Sequence, residues 1–268
     1  MPAEGEREIM SEGPAVRIEV DGTTATAEQL RAAVLNDYGH FTAMQVRAGR
    51  VRGLGLHLAR LDAANREILG SGLDTGTVRA RIRRALGETA DASVRVYVRE
   101  TPAGPSVMVT VRPPGGMPPG PWRLQAVPYQ RPLAHIKHLS DFGQSHFQRT
   151  ARRAGFDEAL LTGPGGVISE GSVTNIAFFD GTGIVWPAAP ALHGITMQIL
   201  KQTLPAHGIA SRRSPVRTAD LRSFTAAFVT NARGIAPVGQ IDDVTMTTDH
   251  DMLQALTDAY ESAGWDPI

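Results

Sequence analysis

Residues 155–179, GFDEALLTGPGGVISEGSVTNIAFF, decide how the second half of this chain is read. The tetrad GPGG at 163–166 cannot continue a strand and marks a turn. It separates the apolar run DEALLT from VISE, and a further apolar run, SVTNIAFFD, follows. Short apolar runs bounded by turn residues predict strands. Glu170 closes one of them. A glutamate followed by Gly-Ser is ordinarily a turn residue, and by itself it carries no chemistry.

Working upstream, SHFQRTARRA (145–154) has a helical pattern closed by Gly155, and residues 123–127 form a strand. Between them lies PLAHIKHLS (132–140), which holds Lys137, one of only two lysines beside 25 arginines. Its context is apolar and strand-like. A primary amine can lose its proton when desolvated and form a Schiff base, which guanidinium cannot. Strand alternation places His138 on the face opposite Lys137 and His135 on the same face; both are expected to be structural or to support the site from behind its lining, with His135 the one closer to it. A metal site would need more convergent partners, and none is expected.

Downstream, the turn GTG precedes IVWP, and a helix runs over 194–204. HGIT (193–196) puts a glycine and a hydroxyl at its start, where free N–H groups favour an anion. TAAFVTN (225–231) reads as a buried strand and 252–263 as a terminal helix. Residues 113–121, PPGGMPPGP, hold five prolines and three glycines and form a linker.

The first half has a strand at Arg17–Val20, a helix at Ala27–Leu35 and a strand with hairpin turn at 41–50. Helices over 57–69 and 77–86 and strands over 93–99 and 106–112 follow. The expected organisation is a flexible tail (1–15), a small α/β domain (16–112), the linker (113–121) and a large β-rich α/β domain (122–268).

The composition sets limits. The chain has 268 residues, zero formal net charge, 42% hydrophobic and 20% charged residues, and no cysteine. That is ordinary globular composition. It offers no electrostatic footprint for nucleic acid or an anionic membrane. Disulfides and thiolate catalysis are excluded. The N-terminus is acidic and polar, unlike a signal peptide, so the expected location is the cytoplasm.

Taken together, YGHFTAMQVRAGRV, HLARL, IKHL, GFDEALLTGPGGVISEGSVTNIAFF, HGIT and VTNARGIAPV resemble the class IV aminotransferase family. These are the fold-type IV enzymes dependent on pyridoxal 5'-phosphate (PLP). The resemblance covers about Tyr38 to Asp242. It implies a two-domain α/β (α+β) fold like that of D-amino acid aminotransferase, with PLP between the domains, and a homodimer. Lys137 matches the Schiff-base lysine, and Glu170 the partner of the pyridine nitrogen. Arg60 matches the arginine that grips the phosphate. Ile195 and Thr196 match the backbone and hydroxyl donors to it, and Asn231 stands near a further phosphate contact. The implied reaction moves an amino group between an amino acid or amine and a keto acid, with Lys137 as the base.

The branch within the family stays open. GHFTAMQV, IKHL and TNA look closer to 4-amino-4-deoxychorismate lyases, which make 4-aminobenzoate and pyruvate and in which a threonine at the place of Thr42 or Ala43 is implicated. SEGSVTNIAFF looks closer to aminotransferases. Met197 stands where relatives often have arginine. Tyr38, Thr42, Arg47, Ala232 and Arg233 are candidates for lining the substrate pocket, by position. A third reading is a non-catalytic PLP-fold binding protein.

Overall fold

Valines alternate along Ala92–Thr101 (SVRVYVR) and Gly104–Arg112 (SVMVTVR), and their buried faces organise the first unit of the chain. The computed structural model describes residues 16–268, so the expected tail at 1–15 lies outside the described residues. The chain groups into two compact units. One comprises the described residues up to Val51, Leu58–Gly115 and Pro267–Ile268; the other comprises Arg52–His57 and Gly116–Asp266. The change of unit between Gly115 and Gly116 falls inside the proline-glycine stretch.

The first unit contains β1 (Arg17–Val20), α1 (Ala27–Leu35), β2 (Gly39–Val46), most of α2 (Leu54–Leu69), α3 (Thr75–Leu86), β3 (Ala92–Thr101) and β4 (Gly104–Arg112). Its sheet is antiparallel, in the order Thr23–Thr24, β1, β4, β3, β2. Met44, Val94, Val96, Val98, Val107 and Val109 are buried from the strands, with Leu61 of α2 and Val78 and Ile82 of α3. The α3 helix begins two residues earlier than its apolar stripe predicts. Asp74 accepts from the N–H groups of Gly76 and Thr77 and so caps it. Pro267 and Ile268 belong here because Arg79 and Arg83 donate to their carbonyls, at 2.8 and 2.9 Å.

The second unit carries β5 (Trp122–Pro128), α4 (Phe142–Arg153), β6 (Glu158–Thr162), β7 (Ile168–Gly171), β8 (Asn175–Phe179), β9 (Gly183–Pro187), α5 (Ile195–Thr203), β10 (Ala210–Ser214), β11 (Ala226–Asn231), β12 (Gly234–Ile241) and α6 (His250–Glu261). The sheet order is β10-β9-β8-β11-β12-β5-β6-β7, with Val244–Thr245 paired to β12. The β9–β10, β12–β5 and β5–β6 pairs are parallel. Both faces are covered. Ile176, Phe178, Ala227 and Val229 join one core cluster, and Ala177, Ala226 and Phe228 join another with Leu200 of α5 and Leu256 of α6. That two-sided burial explains why β11 is a continuous apolar run. Arg52–His57 group with this unit: Leu54 N–H donates to Asp266 Oδ2 at 2.8 Å, and the Arg52 guanidinium lies 4.1 Å from the Trp265 ring centroid. The anchor at Leu54 starts α2 three residues before the predicted position.

The strand β12 has no counterpart in the predicted elements, because GIAPVGQI holds a proline and two glycines. Pro237 is tolerated because it pairs with Phe228 of β11 one residue before the parallel pairing to Trp122 begins at Val238. Gly239 lies at the register shift between Val238 and Gln240.

Candidate active site

Lys137 does not lie on a strand. Residues 132–135 form a turn, in which Leu133 has φ of 44° and Ile136 N–H donates to Leu133 O at 2.8 Å. The proline and the left-handed residue break the extended run, so the alternation expected for the two histidines does not hold. His138 Nε2 donates to Pro132 O at 3.1 Å, and burial, then the Arg131 cation, lowers its pKa. His135 is exposed.

Arg131 holds this turn. Its guanidinium is buried; Nη1 donates to Ala134 O and to Glu170 Oε1, both at 3.0 Å, and Nη2 donates to Ile136 O at 2.7 Å. One side chain thus ties the segment before Lys137 to Glu170. Sequence reasoning passes over it, because one arginine among 25 carries no compositional signal.

Glu170 lies in β7, all of whose residues are buried. Its Oε2 accepts from Leu192 N–H at 3.1 Å. Burial raises its pKa, while the Arg131 guanidinium, the Leu192 N–H and the Lys137 ammonium pull the other way. Each carboxylate oxygen keeps a further lone pair for a donor brought in by a ligand.

The segment after Leu192 leads to α5. Asn175 Nδ2 donates to Leu192 O at 2.7 Å, and Gly194 N–H donates to Asn175 Oδ1 at 3.1 Å. Gln198 N–H makes the first α-helical bond, to Gly194 O at 3.0 Å. The N–H groups of Ile195, Thr196 and Met197 therefore precede the helical ladder, at the positive end of the helix dipole. The Thr196 hydroxyl donates to Asn231 O at 2.7 Å, which leaves the backbone as the donor this residue offers an anion. The Asn231 amide donates to Val173 O at 3.4 Å and accepts from Arg233 N–H at 2.8 Å. Ala232 and Arg233 form the two-residue turn between β11 and β12. Arg233 Nε donates to Gly116 O at 2.8 Å.

Four candidates lie in the first unit. Arg60 Nη2 donates to Thr42 Oγ1. Arg60 Nε is enclosed and has no hydrogen-bond partner among the described residues. Burial lowers the Arg60 pKa to about 10, which still leaves the guanidinium charged at neutral pH. A cation with an unused buried donor is a group that suits an anion. Tyr38 is exposed and donates to Ile68 O at 3.0 Å. Arg47 Nη2 donates to Gly115 O at 3.0 Å and Nη1 to Val46 O at 2.8 Å. Arg47 and Arg233, the two cationic candidates for a substrate carboxylate, thus both donate to backbone carbonyls.

The model of the amino-transferase class IV family matches residues 39–241. The chain belongs to the class IV aminotransferase family. Comparison with curated protein sequences finds no match. Among solved structures, this class IV chain is similar to the branched-chain aminotransferase of the thermophilic archaeon Thermoproteus uzoniensis with norvaline, with TM-score 0.79, 19% identity, and 91% and 93% of the two chains covered. A hypothetical aminotransferase from Mycobacterium tuberculosis in its PLP-bound form aligns with TM-score 0.78 and 20% identity over 92% and 98% of the chains. A structure from Legionella pneumophila named for 4-amino-4-deoxychorismate lyase aligns with TM-score 0.74 and 18% identity over 84% and 90%. At these identities the likeness speaks to the fold, which is that of fold-type IV. Among the described residues of this class IV chain, no cluster of ligating side chains could hold a metal ion, and no helix is long and apolar enough to cross a membrane.

Proposed function

We propose that this chain is a PLP-dependent aminotransferase that moves an amino group between an amino acid or amine and a keto acid. The observation that carries the proposal is the Arg131 clamp, which ties the turn leading to Lys137 to Glu170 through three hydrogen bonds. From Glu170, the bond to Leu192 leads on to the uncapped start of α5. An amine, a buried carboxylate and a row of free N–H groups are the groups that suit, in turn, an aldehyde, a protonated pyridine nitrogen and a phosphate. When bound, PLP supplies an aldehyde that captures amines and a ring that withdraws electrons from the bond being broken.

The residues have distinct tasks. Glu170 accepts from the ring nitrogen and keeps it protonated. The N–H groups of Ile195 and Thr196 would bind the phosphate, and Arg60, a cation with an unused buried Nε, is proposed for the same group on the sequence resemblance. The Lys137 amine would hold the cofactor covalently; once released, its Nζ would take up the proton of the substrate carbon and pass it on to the cofactor, so that the amino group can leave the substrate. We also propose a homodimer, as the sequence resemblance implies, which light scattering checks.

Borohydride reduction of the PLP-saturated protein, followed by digestion and mass spectrometry, tests the assignment. The phosphopyridoxyl mass is expected on Lys137 and lost in Lys137→Ala; a label on another residue, or none, refutes it. Adding an amino donor should then shift the visible band. One observation favours a lyase as the second reading. Thr42 is buried and accepts from Arg60, so its hydroxyl adjoins the residue assigned to the phosphate. A lyase releases pyruvate from aminodeoxychorismate with no keto acid present, and a strict acceptor requirement removes that reading.

A further inference from the structure

We infer that Asn175 is a positioning residue. It fixes the spacing between the Glu170 carboxylate and the first N–H groups of α5, so that one ligand can engage a ring nitrogen and a phosphate together. The inference rests on the PLP reading and goes beyond it.

Asn175 opens β8, is buried, and is held in register opposite Thr230 of β11. Its amide faces the segment 192–194 and makes both bonds that a neighbouring strand would make, giving to Leu192 O at 2.7 Å and taking from Gly194 N–H at 3.1 Å. Leu192 is thereby pinned on both sides, since its own N–H goes to Glu170 Oε2. Aspartate has no donor, serine is too short, and glutamine is one methylene too long to keep both bonds in this geometry.

The start of α5 shows why such a clamp matters. A serine, threonine or aspartate at the N-cap would bond the N–H of the second or third helical residue and so compete with a phosphate. The N-cap here is Gly194, with no side-chain cap. Its φ of −59° suits any residue, so the backbone does not demand glycine. Space does: a Cβ at Gly194 would lie 2.0 Å from Asn175 Oδ1. The helix is therefore fixed from outside, through the N–H of the cap residue, and its first N–H groups stay available.

Affinity for PLP and for pyridoxal, which lacks the phosphate, separates positioning from general structural damage. Both are measured by fluorescence quenching on the full-length apoprotein, prepared with hydroxylamine. In Asn175→Ala the ratio of PLP to pyridoxal affinity should fall about tenfold, the scale of two lost buried hydrogen bonds acting on one contact, while pyridoxal affinity stays within about threefold. Gly194→Ala should lower the ratio likewise, and should add little in the Asn175→Ala background, where the space is open. Equal weakening of both ligands, or an unchanged ratio in folded variants, overturns the inference. If Asn175→Ala does not fold, Asn175→Ser and Gly194→Ala decide by the same ratio. Wild-type protein that binds neither compound overturns the PLP reading and this inference with it. Wild-type protein that binds both, with the ratio unmoved by substitution, overturns this inference alone.

Discussion

Glu158 carries a cost that pH should expose. It lies fully buried in β6, and the groups that bond it are neutral. Its Oε1 accepts from Val173 N–H at 2.6 Å and the Ser172 hydroxyl at 3.1 Å, and its Oε2 accepts from the Thr174 hydroxyl at 3.0 Å. These bonds shape the turn between Glu170 and Asn175. Gly171 is glycine because a Cβ there would lie 2.2 Å from Thr174 Oγ1 and 2.7 Å from Glu158 Oε1. Burial raises the Glu158 pKa from 4.5 to about 7, against the pull of the Val173 N–H and the two hydroxyls, with the more distant Arg152 cation adding least. A carboxyl whose folded pKa exceeds its unfolded value binds its proton more tightly when folded. The associated stability is whole below pH 4.5 and is lost as pH rises through about 7. At 1.36 kcal/mol per pH unit, the loss is about 3 kcal/mol. Glu158→Gln removes the ionisation and keeps the turn: its carbonyl still accepts from Val173 N–H, and the Thr174 hydroxyl can rotate to accept from the amide. Urea unfolding from about pH 5 to about pH 8 should show the variant gaining on the wild type by about 2–3 kcal/mol as pH rises. Parallel pH profiles would refute the reasoning, because every other titrating group is common to both proteins.

Two further substitutions test the packing around the site. Arg131→Met leaves Glu170 buried without its cation and frees two carbonyls of the turn before Lys137; a loss of about 3–5 kcal/mol is expected in chemical denaturation, together with a further rise in the Glu170 pKa. Arg131→Lys should recover only part of it, since one ammonium cannot reach three acceptors in a plane. In the first unit, Ile82→Ala at a fully buried position of α3 should cost about 2–5 kcal/mol, and a much smaller loss would mean that the α3 face is poorly packed.

What can be read from the chain and what cannot divide along physical lines. The strands β3 and β4 announce themselves by alternation, and α3 by the stripe Val78, Ile82, Ala85 and Leu86, all buried. Periodicity reports which face is buried, and it does so from local sequence alone. Lys137 and Glu170 stand out through an ordered set of motifs. Arg131, Glu158 and Asn175 give no such signal. Each bonds groups distant in sequence, 39 residues away for Arg131 and Glu170 and 17 for Asn175 and Leu192, so its role exists only after folding. The turn at 132–136 reads as a strand for a related reason. Its carbonyls are satisfied by a guanidinium rather than by a strand ladder, and hydrophobicity does not distinguish the two.

That division bears on how the site is built. None of the three residues missed from the sequence is proposed to touch the cofactor, yet each bonds a segment that adjoins a group proposed to do so. Arg131 holds the turn before Lys137, Glu158 the turn after Glu170, and Asn175 the entry to α5. Each makes at least one bond to backbone, so the bond itself does not depend on the side chain at that place. Residues 192–194 show the consequence. His193, between the two pinned residues, is exposed and makes neither of the clamp's bonds. Its side chain can vary without moving Leu192 or Gly194. A site held through backbone groups can keep its donor geometry while the side chains that meet a substrate change, and this fits a chain in which the groups proposed to hold the cofactor are recognisable while Tyr38, Arg47 and Arg233, expected from the sequence to line the substrate pocket, bond backbone carbonyls and point to no single substrate.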